Sequence, residues 1–137
     1  MERLFQRLNL SHVAVALLML LCSCKEDRTT VIFGKVVDQN QQPVDSIMIE
    51  VTGSRSFHVV PLAQTFSGKD GEYLINIDVG KKYGLLESFI PPNSFHNPKF
   101  YTRYKISKMF KNGQQTTGCC FADIGKKTQW DFELAPK

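Results

Sequence analysis

The chain has 137 residues, of which 42% are hydrophobic and 22% are charged, and its formal net charge at pH 7 is +4. This length is sufficient for one domain with a single hydrophobic core. The positive charge is too small to indicate a nucleic-acid partner. There are four cysteines, two of them adjacent at Cys119 and Cys120, and their spacing gives no disulfide framework.

The first 23 residues predict a cleaved secretory signal peptide. Arg3 and Arg7 provide a positively charged start, and an almost unbroken apolar run follows from Val13 to Leu21. A membrane-spanning helix needs about 20 apolar residues, so this run is too short to be one. We therefore expect residues 1–23 to be absent from the mature protein.

The cysteine at the end of this segment indicates a lipid anchor. The order Leu21-Cys22-Ser23-Cys24 resembles the lipobox of bacterial lipoproteins, in which the final cysteine is lipidated and becomes the first residue. The resemblance implies that acyl chains on Cys24 hold the protein to the membrane, each buried CH₂ contributing about 0.8 kcal/mol. The alternative is an ordinary signal peptide with incidental cysteines.

The three residues after Cys24 bear on the location of the protein. Lys25-Glu26-Asp27 resembles the export signal of surface lipoproteins in one large group of Gram-negative bacteria. This resemblance implies an outer-membrane protein, anchored by lipid and exposed at the cell surface. The alternative for these residues is a charged, solvated tether.

The rest of the chain is predicted to form one all-β domain over residues 31–137, after a lipidated N-terminus and tether at residues 24–30. Outside the signal no window shows a convincing period of 3.6 residues, which disfavours helices. Turn-forming clusters occur at residues 38–43 and 67–71. The predicted strands are Val31–Val37, Ser46–Thr52, Tyr73–Ile77 and Trp130–Leu134. Short alternating strands between such turns predict an antiparallel β-sandwich.

These strands resemble a known family, the carboxypeptidase regulatory-like domains, which have a Greek-key, transthyretin-like β-sandwich. The matching residues are Gly34, Val36, Asp38, Pro43, Val44, Ile49, Val51, Thr65, Gly71 and Tyr73. The chain departs from the pattern at Ser46-Ile47 and at Ser67-Gly68. The resemblance covers Val31 to about Val79 and implies a fold. It implies little about function, because such modules are accessories in enzymes, adhesins and transport proteins.

A basic, aromatic segment lies between Glu87 and Asp123, where the chain has no acidic residue. Interpreted as one strand, it has a polar face that predicts a binding surface of Tyr101, Arg103, Lys105 and Lys111. This surface would contact an anion or a lipid headgroup, or bind a polysaccharide or a protein partner. The alternative is a solvated strand whose lysines protect an exposed sheet edge from pairing.

Asn112-Gly113 predicts a two-residue hairpin turn, which pairs Lys111 with Gln114. Extending this register places Cys119 opposite Ile106 and Cys120 opposite Lys105. Period two then directs Cys119 to the apolar face and Cys120 to the polar face. We therefore expect Cys120 to be the reactive thiol, since a nearby lysine favours the thiolate. The alternative is a disulfide between the two adjacent cysteines, which needs a strained ring that an ordinary strand does not offer.

The histidines and serines do not predict an enzyme. His58 and His96 are far apart and follow no metal-ligand spacing, and Ser54 and Ser56 lack a nucleophile elbow. The sequence therefore favours a non-catalytic module for binding or assembly, with no cofactor and no metal, whose partner is a protein or a glycan. The alternatives are a carbohydrate-contacting accessory domain that uses Tyr101 and Tyr104, and a metal-dependent enzyme on a transthyretin-like fold.

Overall fold

The protein is described by a computed structural model over residues 26–137. The predicted signal peptide, Cys24 and Lys25 lie outside the described residues. Within this range the strands are β1 (Thr29–Asp38), β2 (Met48–Arg55), β3 (His58–Phe66), β4 (Glu72–Asp78), β5 (Leu85–Phe89), β6 (Tyr104–Lys111), β7 (Gln114–Thr116), β8 (Phe121–Ala122) and β9 (Lys127–Pro136). A short helix, α1 (Pro98–Arg103), precedes β6.

The strands form two packed sheets, so the predicted all-β sandwich is confirmed. The larger sheet has the strand order β4-β1-β9-β6-β7, and the smaller one has the order β3-β2-β5-β8. The neighbouring pairs are antiparallel except β1 and β9, which run parallel at the centre of the larger sheet. The prediction of a purely antiparallel sandwich is therefore wrong at this pair.

The alternating residues of the predicted strands form the core between the sheets. Ile32 and Val36 of β1, Ile49 of β2 and Phe132 of β9 are fully buried. The predicted turns are also present: Gly71, at φ +78°, follows Asp70 between β3 and β4, and Asn112 and Gly113 both have positive φ. Only glycine adopts this conformation freely, which explains its presence at both turns.

Gly34 allows a close contact among three strands of the larger sheet. It pairs with Tyr73 of β4, and the Tyr73 hydroxyl donates a hydrogen bond to the Trp130 carbonyl of β9 (2.6 Å). A Cβ atom on Gly34 would overlap that carbonyl oxygen. The β1–β9 pairing is interrupted at Gly34 and Lys35. There the backbone N–H of Lys35 donates to the Asp131 carboxylate of β9 at 2.8 Å, and this hydrogen bond bridges the break. Burial raises the pKa of the Tyr73 hydroxyl, and the negative charge of Asp131 adds to this effect.

The expected single strand through the basic, aromatic segment is wrong in two respects. Residues Pro98–Arg103 form α1, whose first residue is a proline, a residue favoured at that position. The pairing of β6 with β9 also shifts register between Ile106 and Lys108, where Ser107 is the extra residue of a β-bulge. The bulge exchanges the two faces beyond it, so that Met109 packs against the core and Phe110 lies on the outer side.

Trp130 connects the two sheets and should be a principal source of stability. Its side chain is 1% exposed, and its indole N–H donates to the carbonyl of Phe121 in the other sheet (3.2 Å). Its ring also stacks with Phe132, at 6.4 Å between ring centroids. These observations place Trp130, at the start of the predicted strand Trp130–Leu134, in the core.

We predict that Trp130→Ala lowers the free energy of unfolding by about 3–5 kcal/mol, as for other large aromatic truncations in cores. Urea denaturation followed by far-ultraviolet circular dichroism measures the change. Phe121→Ala is the control, because this side chain is half-exposed, and its effect should be much smaller. Native tryptophan emission at the wavelength of a solvent-exposed indole would contradict the placement of Trp130.

Candidate binding surfaces

The four residues of the predicted binding surface lie at two opposite ends of the sandwich. Tyr101 and Arg103 are exposed on α1, and Lys105 is exposed at the start of β6. Lys111 lies at the other end of β6, after the bulge, and pairs with Trp130 of β9. The structure therefore brings together Tyr101, Arg103 and Lys105 but separates Lys111 from them.

The end of the sandwich that contains α1 is here called the far end. Lys137 also lies there, because its backbone N–H donates to the Arg103 carbonyl and its ammonium group donates to the Tyr101 carbonyl. The same ammonium group lies 4.9 Å from the centre of the Tyr101 ring. Sequence reasoning missed Lys137 because the contact depends on the pairing of Tyr104 with Pro136.

Three lysines of the basic segment are neutralised by acidic residues from elsewhere in the chain. Lys99 lies 2.7 Å from Asp45, and its hydrogen bond lowers the pKa of that carboxyl to about 2. Lys108 lies 3.0 Å from the buried carboxylate of Glu133. Lys111 lies 3.8 Å from Asp123 and 5.9 Å from the centre of the Trp130 ring.

Arg103 and Lys105 differ from these lysines, since neither has an ion-pair partner among residues 26–137. Two cationic groups and the exposed Tyr101 ring are thus available for a ligand at the far end. The edge-protection alternative also applies to Lys105, because β7 pairs only with Met109–Lys111 and leaves the first half of β6 at the sheet edge.

Tyr104 is less available than the sequence indicated. It is half-buried and packs against the core, as Ile106 does. The glycan-binding alternative, which used Tyr101 together with Tyr104, therefore retains Tyr101 as its exposed ring.

The outer side of the larger sheet has an open groove of about 590 Å³ over the break between β1 and β9. Phe33, Lys35, Leu74, Gln129 and Asp131 are among the residues that line it, and Leu74 is 62% exposed. Sequence reasoning did not identify this groove. The sequence feature that could have indicated the groove is Gly34, because a glycine within a strand often marks a bulge or a close backbone approach.

The two histidines of the domain are at opposite ends of it. His58 begins β3, and His96 lies in the segment before α1. Among residues 26–137, no group of three or more His, Cys, Asp and Glu side chains is arranged to hold a metal ion. Over the same residues, no helix is long and apolar enough to cross a membrane.

The predicted environment of the adjacent cysteines is wrong. Lys111 does pair with Gln114, but β7 ends at Thr116, so the register does not extend to the cysteines. Cys120 is fully buried, 3.8 Å from the Met109 sulfur, whereas Cys119 is half-buried. The structure joins the two adjacent cysteines in a disulfide, and the peptide bond between the residues is cis.

Burial reverses the order of reactivity expected from the sequence. In the Cys120→Ala variant, we predict that a thiol reagent modifies Cys119 in the native protein. In the Cys119→Ala variant, Cys120 should react only after unfolding, because its sulfur is inaccessible. Intact-mass measurements over time give both rates, and faster native modification of Cys120 would contradict this placement.

Comparisons with known proteins identify no family for this chain. No family model matches it, and no curated protein is a significant match. Among solved structures, it is similar to a Streptococcal ancillary pilin, with 10% identity over 80% of this chain and a TM-score of 0.39. The chain spans 33% of that pilin chain.

A second similar structure is the dioxygenase domain of a dioxygenase and carbohydrate-binding protein fusion from the cellulolytic bacterium Streptomyces sp. SirexAA-E. The identity is 12%, the match covers 82% of each chain, and the TM-score is 0.39. With TM-scores of 0.39, neither structure indicates the function of this chain.

Proposed function

We propose that this protein is a lipid-anchored, non-catalytic module for binding or assembly at the bacterial outer membrane, exposed at the cell surface. The observation that carries the proposal is the order Leu21-Cys22-Ser23-Cys24 at the end of an apolar signal, followed directly by Lys25-Glu26-Asp27. Acyl chains on Cys24 would provide the attachment. No catalytic residue, metal or cofactor is assigned.

The start of the described domain supports a short connection to the anchor. Arg28 donates to the carbonyls of Val79 (2.9 Å) and Tyr83 (2.7 Å), and β1 begins at Thr29. β1 thus begins two residues before Val31, where the predicted domain starts. Three residues lie between Cys24 and Arg28, the first residue whose side chain is hydrogen-bonded to the domain.

We further propose that the domain is a carboxypeptidase regulatory-like, transthyretin-like sandwich. Several residues that carry the resemblance hold one local network at the far end. The Val36 N–H donates to the Gly71 carbonyl and the Val44 N–H to the Val36 carbonyl, both at 2.9 Å. The Asp38 carboxylate accepts hydrogen bonds from the N–H groups of Asn40 and Gln42.

The far end is the proposed surface for a protein or glycan partner. The N-terminus of β1 is at the opposite end, so Tyr101, Arg103 and Lys105 would be directed away from an anchor at Cys24. The positive charges of Arg103 and Lys105, which have no ion-pair partner within the described residues, would favour an anionic group on the partner.

The anchor is tested by metabolic labelling with radioactive palmitate. We expect Cys24→Ala to abolish labelling and to leave the signal peptide uncleaved by the lipoprotein peptidase. Cys22→Ala is the matched control and should be labelled normally, because Cys22 leaves with the signal. Labelling of the Cys24→Ala protein would show that the acyl chains are attached elsewhere.

The partner surface is tested with a photo-crosslinking amino acid in intact cells. We expect the probe at position 101 to give a discrete adduct, because this side chain is exposed at the far end. Position 74 is the control, since Leu74 is similarly exposed but lies on the side of the larger sheet. An adduct from position 74 and none from position 101 would move the partner to the groove and contradict the proposed surface.

A further inference from the structure

We propose that the end of the sandwich opposite α1 is a membrane-contact surface, in which Phe57 enters the interface of an anionic bilayer and nearby cations bind lipid headgroups. This inference rests on the proposed anchor at Cys24. The surface, here called the anchor end, consists of residues 26–28, 55–58, 80–85 and 123–127.

Hydrogen bonds hold these segments together at one end of the fold. Arg28 binds the carbonyls of Val79 and Tyr83, and the Gly84 N–H donates to the Ser54 carbonyl (3.2 Å). The Val31 N–H donates to the Lys126 carbonyl (3.0 Å). The start of β1, the turn between β2 and β3, and the segments before β5 and β9 therefore share one end.

Phe57 forms the tip of this end and is fully exposed, with no burial by the described residues. It occupies the two-residue turn between β2 and β3 together with Ser56, and both have positive φ, at 68° and 44°. Such turns favour Asn and Gly, whereas a bulky residue in this conformation is unusual. An exposed aromatic ring held in a disfavoured conformation suggests a functional role.

Other exposed apolar side chains lie beside the tip. Val59 is two residues from Phe57 on β3, and Leu85 begins β5, opposite Ser54. These side chains add apolar surface next to Phe57. An aromatic residue with neighbouring aliphatic residues suits the boundary between headgroups and acyl chains.

Five cations that have no ion-pair partner among residues 26–137 lie at the same end of the sandwich as this apolar tip. They are Arg55, Lys81, Lys82, Lys126 and Lys127. Lys82 lies 5.1 Å from the centre of the Tyr83 ring and lines a shallow pocket with Arg55 and His58. The anionic residues of this end are Glu26, Asp27 and Asp123, and Asp78 lies next to this end. Glu26 forms an ion pair with Arg28, and Asp123 forms one with Lys111.

The proposed anchor would keep this surface near the bilayer. Three residues lie between Cys24 and Arg28, so four Cα–Cα steps of at most about 3.6 Å join them, and Arg28 would lie within about 14 Å of Cys24. Attraction to anionic lipid acts over about one Debye length, roughly 8 Å at physiological salt. The distance of about 14 Å is an upper limit for a fully extended tether, and a less extended one would bring Arg28 closer to that range.

The far end has an exposed phenylalanine as well, which provides a matched control. Phe95 is 86% exposed in the segment before α1, and the tether does not reach that end. If exposed aromatic residues bound lipid regardless of position, Phe57 and Phe95 would behave alike. If the anchor selects one end, only Phe57 would enter the bilayer.

The test uses the full lipidated protein in vesicles that contain phosphatidylglycerol and lipids brominated near the headgroup. We expect Phe57→Trp to add emission that the bromines quench by roughly half, because an interfacial side chain lies at that depth. Phe95→Trp should add emission that is not quenched, and buried Trp130 provides the unquenched baseline. Absence of quenching in the Phe57→Trp protein, or equal quenching in both variants, would overturn the inference.

The charge contribution is tested in the Phe57→Trp protein by adding Lys81→Gln and Lys82→Gln, and separately by replacing phosphatidylglycerol with phosphatidylcholine. Both changes should reduce quenching, and unchanged quenching would contradict the role of the cations. The mass of the N-terminal peptide is measured in every sample. A peptide without acyl chains on Cys24 would refute the proposed anchor, whereas acylated protein without quenching would refute the membrane contact alone.

Discussion

The hydrogen bond between the Tyr73 hydroxyl and the Trp130 carbonyl is the contact on which much of the larger sheet depends. It crosses β1, and this is possible because Gly34 has no side chain. The bond satisfies a carbonyl that the interrupted β1–β9 pairing would otherwise leave buried without a partner. Because the same tryptophan donates to Phe121 of the smaller sheet, one residue links β4, β9 and β8.

The sequence predicted those parts of the fold that follow from local rules. Period-two alternation identified β1, β2, β4 and β9, because each of these strands has one face in the core. Glycine and asparagine identified the turns at Gly71 and Asn112, where positive φ is required. A glycine within a predicted strand, such as Gly34, is typical of a bulge or a close approach, and in the structure Gly34 pairs with Tyr73 beside a break in the β1–β9 pairing.

The candidate surface was predicted less well, because it depends on one extra residue in one strand. Ser107 shifts the register of β6, and this removes Lys111 from the face of Lys105. A bulge is selected by contacts with the neighbouring strand, here β9, which the local sequence does not contain. The segment before α1 is also fixed by a long-range contact that leaves no local sequence pattern. The backbone N–H of Met48 in β2 donates to the side-chain oxygen of buried Asn97, and the side-chain amide of Asn97 donates to the Met48 carbonyl.

The parallel pairing of β1 and β9 gives the two ends of the sandwich different chemical roles. Both central strands start at the end that holds Arg28 and finish at the end that holds α1, so a tether before β1 would fix the orientation of the domain. An antiparallel pair would instead have placed Lys137 beside the start of β1. With the observed topology, Lys137 adds its charge to Arg103 and Lys105. These cations, which have no ion-pair partner in the part of the chain that the structure describes, lie as far from a Cys24 anchor as the sheet allows. In a module held at the anchor end, cations at the far end can bind an anionic partner without competition from the bilayer, because the sheet is longer than the Debye length.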